Sequence, residues 1–131
     1  KDATGDLNTP LETFNICGNK FDQLSGEDST YLAFLVSGGI GCISVTANII
    51  PKICADIFSA WEKEDIKTAM MLNQKIFELN KVLFIETSPS PIKYALSRLK
   101  KCENILRLPL VKVSKGTEKE IEKVLKRLNL I

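Results

Sequence analysis

Among the residue types that can do chemistry, one is missing altogether: the 131-residue sequence contains no histidine. That absence excludes Ser-His-Asp triads, Cys-His nucleophile pairs and every histidine-bearing metal site. The four cysteines, Cys17, Cys42, Cys54 and Cys102, show no CxxC spacing. Three of them sit among apolar neighbours, a pattern of reduced thiols in or near a core rather than a disulfide frame or a zinc site, so no metal site is expected. The remaining nucleophile is lysine. Its amine adds to a carbonyl only when unprotonated, and a side chain with an ordinary pKa of about 10.4 must have it lowered by burial or a nearby cation to react near neutral pH. Fifteen lysines are present, Lys1 among them, and composition singles out none, because a lysine is by default a solvated surface charge.

The elements that must position any such group are bounded by composition. With 44% hydrophobic and 26% charged residues the chain is of ordinary globular type, long enough for one core or two small ones. A formal charge of +2 is too small to imply a polyanionic partner, so nucleic acid is excluded as an expectation. Residues 29–51 carry no charge, and on length alone this run spans a bilayer. Gly38, Gly39 and Gly41 interrupt it, and Ser44, Thr46 and Asn48 follow at alternate positions, so it reads as a buried helix, a glycine turn and a buried strand. No membrane partner is expected. The leading KDATGD has no charged-then-apolar signal architecture, and the expected compartment is the cytoplasm.

Along the chain, Thr9-Pro10-Leu11-Glu12 predicts a helix capped by Thr9 and closed by Gly18. Phe21 to Ser25 is a candidate strand ending at Gly26. Asp28 is placed to cap a helix through Tyr31, Phe34 and Leu35 that Gly38 stops. Cys42-Ile43-Ser44-Val45 reads as a short parallel strand covered on both faces. Strand, helix and strand at this spacing are the mark of βα units with right-handed crossovers. On these grounds Gly26 is a turn glycine needing positive φ, and Ile43 a core strand residue. After Asn48 only helices are expected: one from Pro51 with Ile53, Cys54, Ile57, Phe58 and Trp61 on one face, and one striped by Ala69, Leu72, Ile76, Leu79 and Leu83. A third starts near Pro91 with Tyr94, Ala95 and Leu99. Thr117 and Glu120 form a capping box for a fourth, with Ile121, Val124, Leu125 and Leu128 inward and its lysines and glutamates on a solvated face.

Five segments, KDATGD at 1–6, LSGED at 24–28, GGIGCISVTANIIPK at 38–52, LFIETSPSPIK at 83–93 and LRLPL at 106–110, resemble, in order and at matching spacing, the dihydrodipicolinate synthase family of the N-acetylneuraminate lyase superfamily. The resemblance covers essentially the whole chain and implies its C-terminal half. The fold it implies is α/β: about the last three βα units of a (β/α)8 barrel in residues 1–62, then a small helical C-terminal domain in residues 63–131. The activity implied is a class I aldolase-type lyase of lysine and diaminopimelate biosynthesis, condensing pyruvate with aspartate semialdehyde. Lys1 matches the catalytic lysine that forms an imine with pyruvate, so no cofactor is implied. Gly26 and Ile43 match strand-end residues that line the pyruvate site through backbone groups and shape. Where this sequence has Ser88 before a proline, the family usually has asparagine.

A complete barrel takes about 250 residues. The family's proton-relay tyrosines, carboxylate-binding threonines and entrance arginine are expected outside these residues, and neither Tyr31 nor Tyr94 matches them. The expected partners are therefore the missing N-terminal half or another subunit, and a homotetramer for the complete enzyme. Two alternatives stay open: a related pyruvate-dependent aldolase acting on N-acetylneuraminate or keto-deoxy-sugar acids, which the SVTAN segment at 44–48 disfavours, and a non-catalytic fragment that acts only as an assembly partner.

Overall fold

The computed structural model describes all residues, Lys1–Ile131. In chain order the elements are α1 (Asn8–Cys17), β1 (Leu24–Ser25), α2 (Tyr31–Val36), β2 (Gly41–Cys42), α3 (Pro51–Glu62), α4 (Ile66–Val82), α5 (Ser90–Arg98) and α6 (Lys115–Arg127). Short 3-10 turns lie at Asp28–Thr30 and Thr46–Asn48. The chain divides into two compact units, Lys1–Ser44 with Lys52–Lys75, and Val45–Pro51 with Ile76–Ile131. No helix is long and apolar enough to cross a membrane.

The first unit alternates strand and helix as the sequence predicts, and β1 and β2 pair in parallel with Leu24 opposite Gly41 and Ser25 opposite Cys42. Both strands are shorter than predicted. Two-sided burial is not realised either, since Phe21 is 55% and Ile43 49% exposed. The caps also move. Helix α1 starts two residues early, at Asn8, with Leu7 rather than Thr9 at the cap position and no side-chain cap, while Asp6 Oδ1 accepts the Asn8 N–H at 2.9 Å. Ahead of α2 it is Glu27, not Asp28, that caps, its Oε1 accepting from the Ser29 N–H at 3.1 Å and the Ser29 hydroxyl at 2.6 Å. Asp28 is buried instead and accepts the hydroxyl of Ser44.

Gly18 and Gly38 close their helices with φ of 78° and 95°, a left-handed conformation that glycine adopts without strain. Gly39 serves differently: a Cβ there would run into the ring of Phe34, so the chain can turn close under α2 only without a side chain. The buried apolar residues of this unit include Pro10, Tyr31, Phe34, Leu35, Ile57, Ala60 and Ala69.

The second unit is built on helical stripes. Ile76, Leu79 and Leu83 are buried with Ile92, Tyr94 and Ala95 of α5 and Ile121, Val124 and Leu125 of α6. The predicted capping box is corrected by three residues. Ser114 Oγ accepts the Thr117 N–H at 3.3 Å, and Glu86 accepts the Ser114 N–H at 3.0 Å, so α6 starts at Lys115 and Thr117 lies inside its first turn. Thr46 donates its hydroxyl to Asn80 Oδ1 at 2.7 Å, both side chains being buried, which ties the 3-10 turn after Val45 to α4.

Placing one methyl group at residue 39 overpacks the turn beneath Phe34, and such overpacking costs about 1–3 kcal/mol. Gly39→Ala is accordingly expected to lower the unfolding free energy of the natural polypeptide carrying these residues by that amount, read as a lower urea midpoint. An unchanged midpoint would show that the Phe34 ring moves aside freely.

Candidate active site

The candidate site is assembled by backbone hydrogen bonds. The Asp2 N–H donates to Leu24 O at 2.8 Å, and the Gly26 N–H donates to Asp2 O at 2.5 Å, so the first residues form a parallel bridge with β1 in which Asp2 faces Ser25. On the other side of β1 the Ile43 N–H donates to Ser25 O at 2.7 Å. One row therefore runs Asp2, Ser25, Cys42 across three segments. Successive side chains in extended backbone point to opposite faces, so these three share one face, while Lys1, Ala3, Leu24, Gly26, Gly41 and Ile43 share the other. All three residues singled out by the sequence thus lie on one face, at the ends of neighbouring strands.

Of the three, Lys1 and Gly26 meet directly. A Cβ built on Gly26 would lie 2.5 Å from Lys1 Cε and 2.8 Å from Ala3 Cβ. Gly26 is not among the residues with positive φ, which corrects the expectation of a left-handed turn glycine: what the position requires is room. Ile43 stands one strand further across and is half exposed rather than core, because the sheet face it occupies is open. The N–H groups of Gly26 and Ile43 are both spent on the ladder, so any contact with a ligand falls to their carbonyls and their shape. Lys1 also borders an open cavity of about 370 Å³ with Thr4, Thr9, Thr13, Phe21 and Gln23, which Gly26 and Ile43 do not line.

Two supporting residues escaped the sequence reading. Asp2 Oδ1 accepts the Thr4 N–H at 2.8 Å and the Thr4 hydroxyl at 2.7 Å, folding the segment that follows Lys1 into an Asx turn. Ser25 is 1% exposed, and its hydroxyl accepts from the Glu27 N–H at 3.1 Å and donates to Glu27 O at 3.0 Å, clamping the turn that contains Gly26. Asp-x-Thr is a legible turn signal, whereas the Ser25 clamp shows only once β1 is in place.

On the side of the sheet that Ser25 and Cys42 face, the groups are closed to chemistry. Burial pushes the Cys42 thiol up to about 12, with the nearby Asp28 carboxylate adding to it. Burial and Asp28 likewise push Cys54 up to about 11, and burial raises Tyr31 well above the ordinary phenol range. All four cysteines are free, and Cys17 is exposed. No group of three or more cysteine and acidic side chains is placed to hold a metal ion. What the site offers chemically is a primary amine at a strand end, on an open apolar face, held against a glycine.

Residues 1–128 match the Dihydrodipicolinate synthetase family. The chain is 46% identical over 131 residues to the 4-hydroxy-tetrahydrodipicolinate synthase of Acidiphilium cryptum and 47% identical to that of Thermodesulfovibrio yellowstonii, in each case over 100% of this chain and 45% of the relative. In structure it is similar to dihydrodipicolinate synthase from Aquifex aeolicus, with a TM-score of 0.94 and 36% identity over 99% of this chain and 44% of that one. It is also similar to the chloride-inhibited dihydrodipicolinate synthase from Acinetobacter baumannii complexed with pyruvate, with a TM-score of 0.93 and 34% identity over 100% of this chain and 45% of that one. The chain therefore spans 45% of the length of the curated relatives it matches.

The thiolate is the reactive form of cysteine, and raised thiols stay protonated at pH 8. Alkylation at that pH is expected to modify Cys17 well before Cys42 and Cys54, which mass mapping of the peptides would resolve. Their raised values also mean that the folded state holds these protons more tightly than the unfolded chain. The stabilisation is complete below the ordinary thiol value of 9.0 and is lost as pH rises through about 11 to 12. Equal alkylation rates for Cys17, Cys42 and Cys54 at pH 8 would contradict the burial of the latter two.

Proposed function

The chain belongs to the dihydrodipicolinate synthetase family, and from that premise we propose that the polypeptide containing it is a lyase condensing pyruvate with aspartate semialdehyde to 4-hydroxy-tetrahydrodipicolinate, in lysine and diaminopimelate biosynthesis. The observation that carries this reading is the amine of Lys1 at a strand end, against Gly26 and on the face shared with Ile43. A relative with 34% identity was solved in complex with pyruvate, which supports the same substrate here. Residues 1–62 are read as the last part of a (β/α)8 barrel and residues 63–131 as a helical C-terminal domain. Enzymes of that architecture place their chemistry at the C-terminal ends of the strands, where Lys1, Gly26 and Ile43 lie.

In the proposed reaction, the unprotonated Lys1 Nζ adds to the C2 carbonyl carbon of pyruvate, and loss of water leaves an imine. Protonated, the imine draws electrons from the neighbouring methyl group. That group gives up a proton and becomes the nucleophilic carbon of an enamine. The enamine carbon attacks the aldehyde carbon of the semialdehyde. The amino group of the semialdehyde portion then attacks the imine carbon, closing the ring and releasing Lys1 as the free amine. No external cofactor takes part, because the protonated imine is itself the electron sink. Ile43 shapes the pyruvate end of the site, and Gly26 lies against the stem of Lys1.

Groups to move the protons and bind the carboxylates come, in this reading, from the remainder of the polypeptide or from another subunit. The exposed apolar side chains of the first unit, among them Phe14, Ile16, Phe21, Ile40 and Ile43, suit a face that further protein covers. A homotetramer in the cytoplasm is the proposed working form.

Treating the natural full-length polypeptide with pyruvate and borohydride is expected to add one reduced pyruvate adduct, mapped to the side chain of Lys1, and Lys1→Arg is expected to abolish it. An adduct on a different lysine, or none, would refute the assignment.

A further inference from the structure

We infer that Gly26 is a positioning residue for the Lys1 amine, its missing side chain being the slot in which the lysine stem lies; this rests on the imine chemistry proposed above. A Cβ at residue 26 would sit 2.5 Å from Lys1 Cε, 3.1 Å from Lys1 Cγ and 2.8 Å from Ala3 Cβ. Carbon atoms in contact prefer about 3.5–4.0 Å, so the two groups cannot share this space. Because Gly26 has no left-handed φ, alanine can adopt its backbone conformation, and the exclusion is one of volume alone.

Which side gives way is decided by what holds each. The glycine sits between fixed points: its N–H is bonded to Asp2 O at 2.5 Å, and the buried Ser25 hydroxyl bridges the N–H and C=O of Glu27 at 3.1 and 3.0 Å. Lys1 is exposed on a flexible stem. An added methyl group therefore displaces the stem and not the strand. Cε is the atom bonded to Nζ, so the displacement reaches the nucleophile itself. Gly26 thus acts through Lys1, which is a different role from lining the site for pyruvate, and the two roles leave different kinetic traces. Crowding of the substrate weakens pyruvate binding and is overcome by concentration. Misplacement of the amine slows addition even when pyruvate saturates.

The test is the rate of imine formation, trapped by borohydride, in the natural full-length polypeptide over a range of pyruvate concentrations and pH. For Gly26→Ala the rate at saturating pyruvate is expected to fall by roughly tenfold or more, toward the about 10²-fold that a 1 Å misplacement costs. The pH profile of that limiting rate is expected to shift, since the amine leaves its surroundings, while the half-saturating pyruvate concentration stays near that of the unmodified protein. A limiting rate like that of the unmodified protein, reached only at higher pyruvate, overturns the inference and makes Gly26 a substrate contact. The double variant Ala3→Gly, Gly26→Ala removes one of the two clashes and keeps the one with Lys1. It is expected to fold at least as well as the single variant and to stay slow, and recovery of the full rate would overturn the inference by placing the effect on Ala3. Failure of the unmodified protein to form any pyruvate adduct refutes the imine reading itself, a result distinct from either of these.

Discussion

The structure around the candidate site depends on three backbone hydrogen bonds, from the N–H groups of Asp2, Gly26 and Ile43 to the carbonyls of Leu24, Asp2 and Ser25. They set Asp2 beside Ser25 and Ser25 beside Cys42, and through the two-residue alternation of extended chain they decide which side chains share a face. A slip of one residue in either pairing would carry Lys1 or Ile43 to the opposite side. The ladder is short, and it is supported from the side. Asp2 folds its own following turn through Thr4, and Ser25 clamps the turn at Gly26 through Glu27.

The two faces so defined differ in chemistry. One carries Ser25 and Cys42, with a thiol that burial and the Asp28 carboxylate keep protonated and with Asp28 itself bonded to Ser44. A buried carboxylate is tolerated there because it is hydrogen-bonded. The other face carries Lys1, Ala3, Leu24, Gly26, Gly41 and Ile43, with Ile43 half exposed. The proposed amine nucleophile lies on the second, more open face.

Glycines shape this region by what they leave out. Gly39 lets the chain turn under Phe34, Gly41 lies within 3.0 Å of a Leu24 methyl group once a Cβ is built on it, and Gly26 makes room for Lys1. Only Gly38 of the glycines between residues 26 and 41 has a left-handed φ. For the other three, therefore, the requirement for glycine is one of packing between segments, and a turn propensity does not account for it.

The sequence by itself determined the element types, the helical stripes and the family. Alternating strand and helix signals, the stripe at Ile76, Leu79 and Leu83 and that at Ile121, Val124 and Leu125 are periodic patterns that local stereochemistry reads directly, and five motifs in register identify the family across residues 1–128. Helix caps were legible only to within a few residues. Asp6, Glu27 and Ser114 accept N–H groups at the starts of these segments where Thr9, Asp28 and Thr117 are the expected caps, and which side chain serves depends on what else needs it, as Ser44 needs Asp28. The tertiary structure alone decided the register that puts Lys1, Gly26 and Ile43 on one face, the open setting of Ile43, and the reason that residue 26 is glycine. Those facts depend on contacts between segments distant in sequence, such as Ser25 with Cys42 and Lys1 with Gly26. No local pattern records them, because the space a side chain must leave empty is defined by a neighbour that only folding brings near.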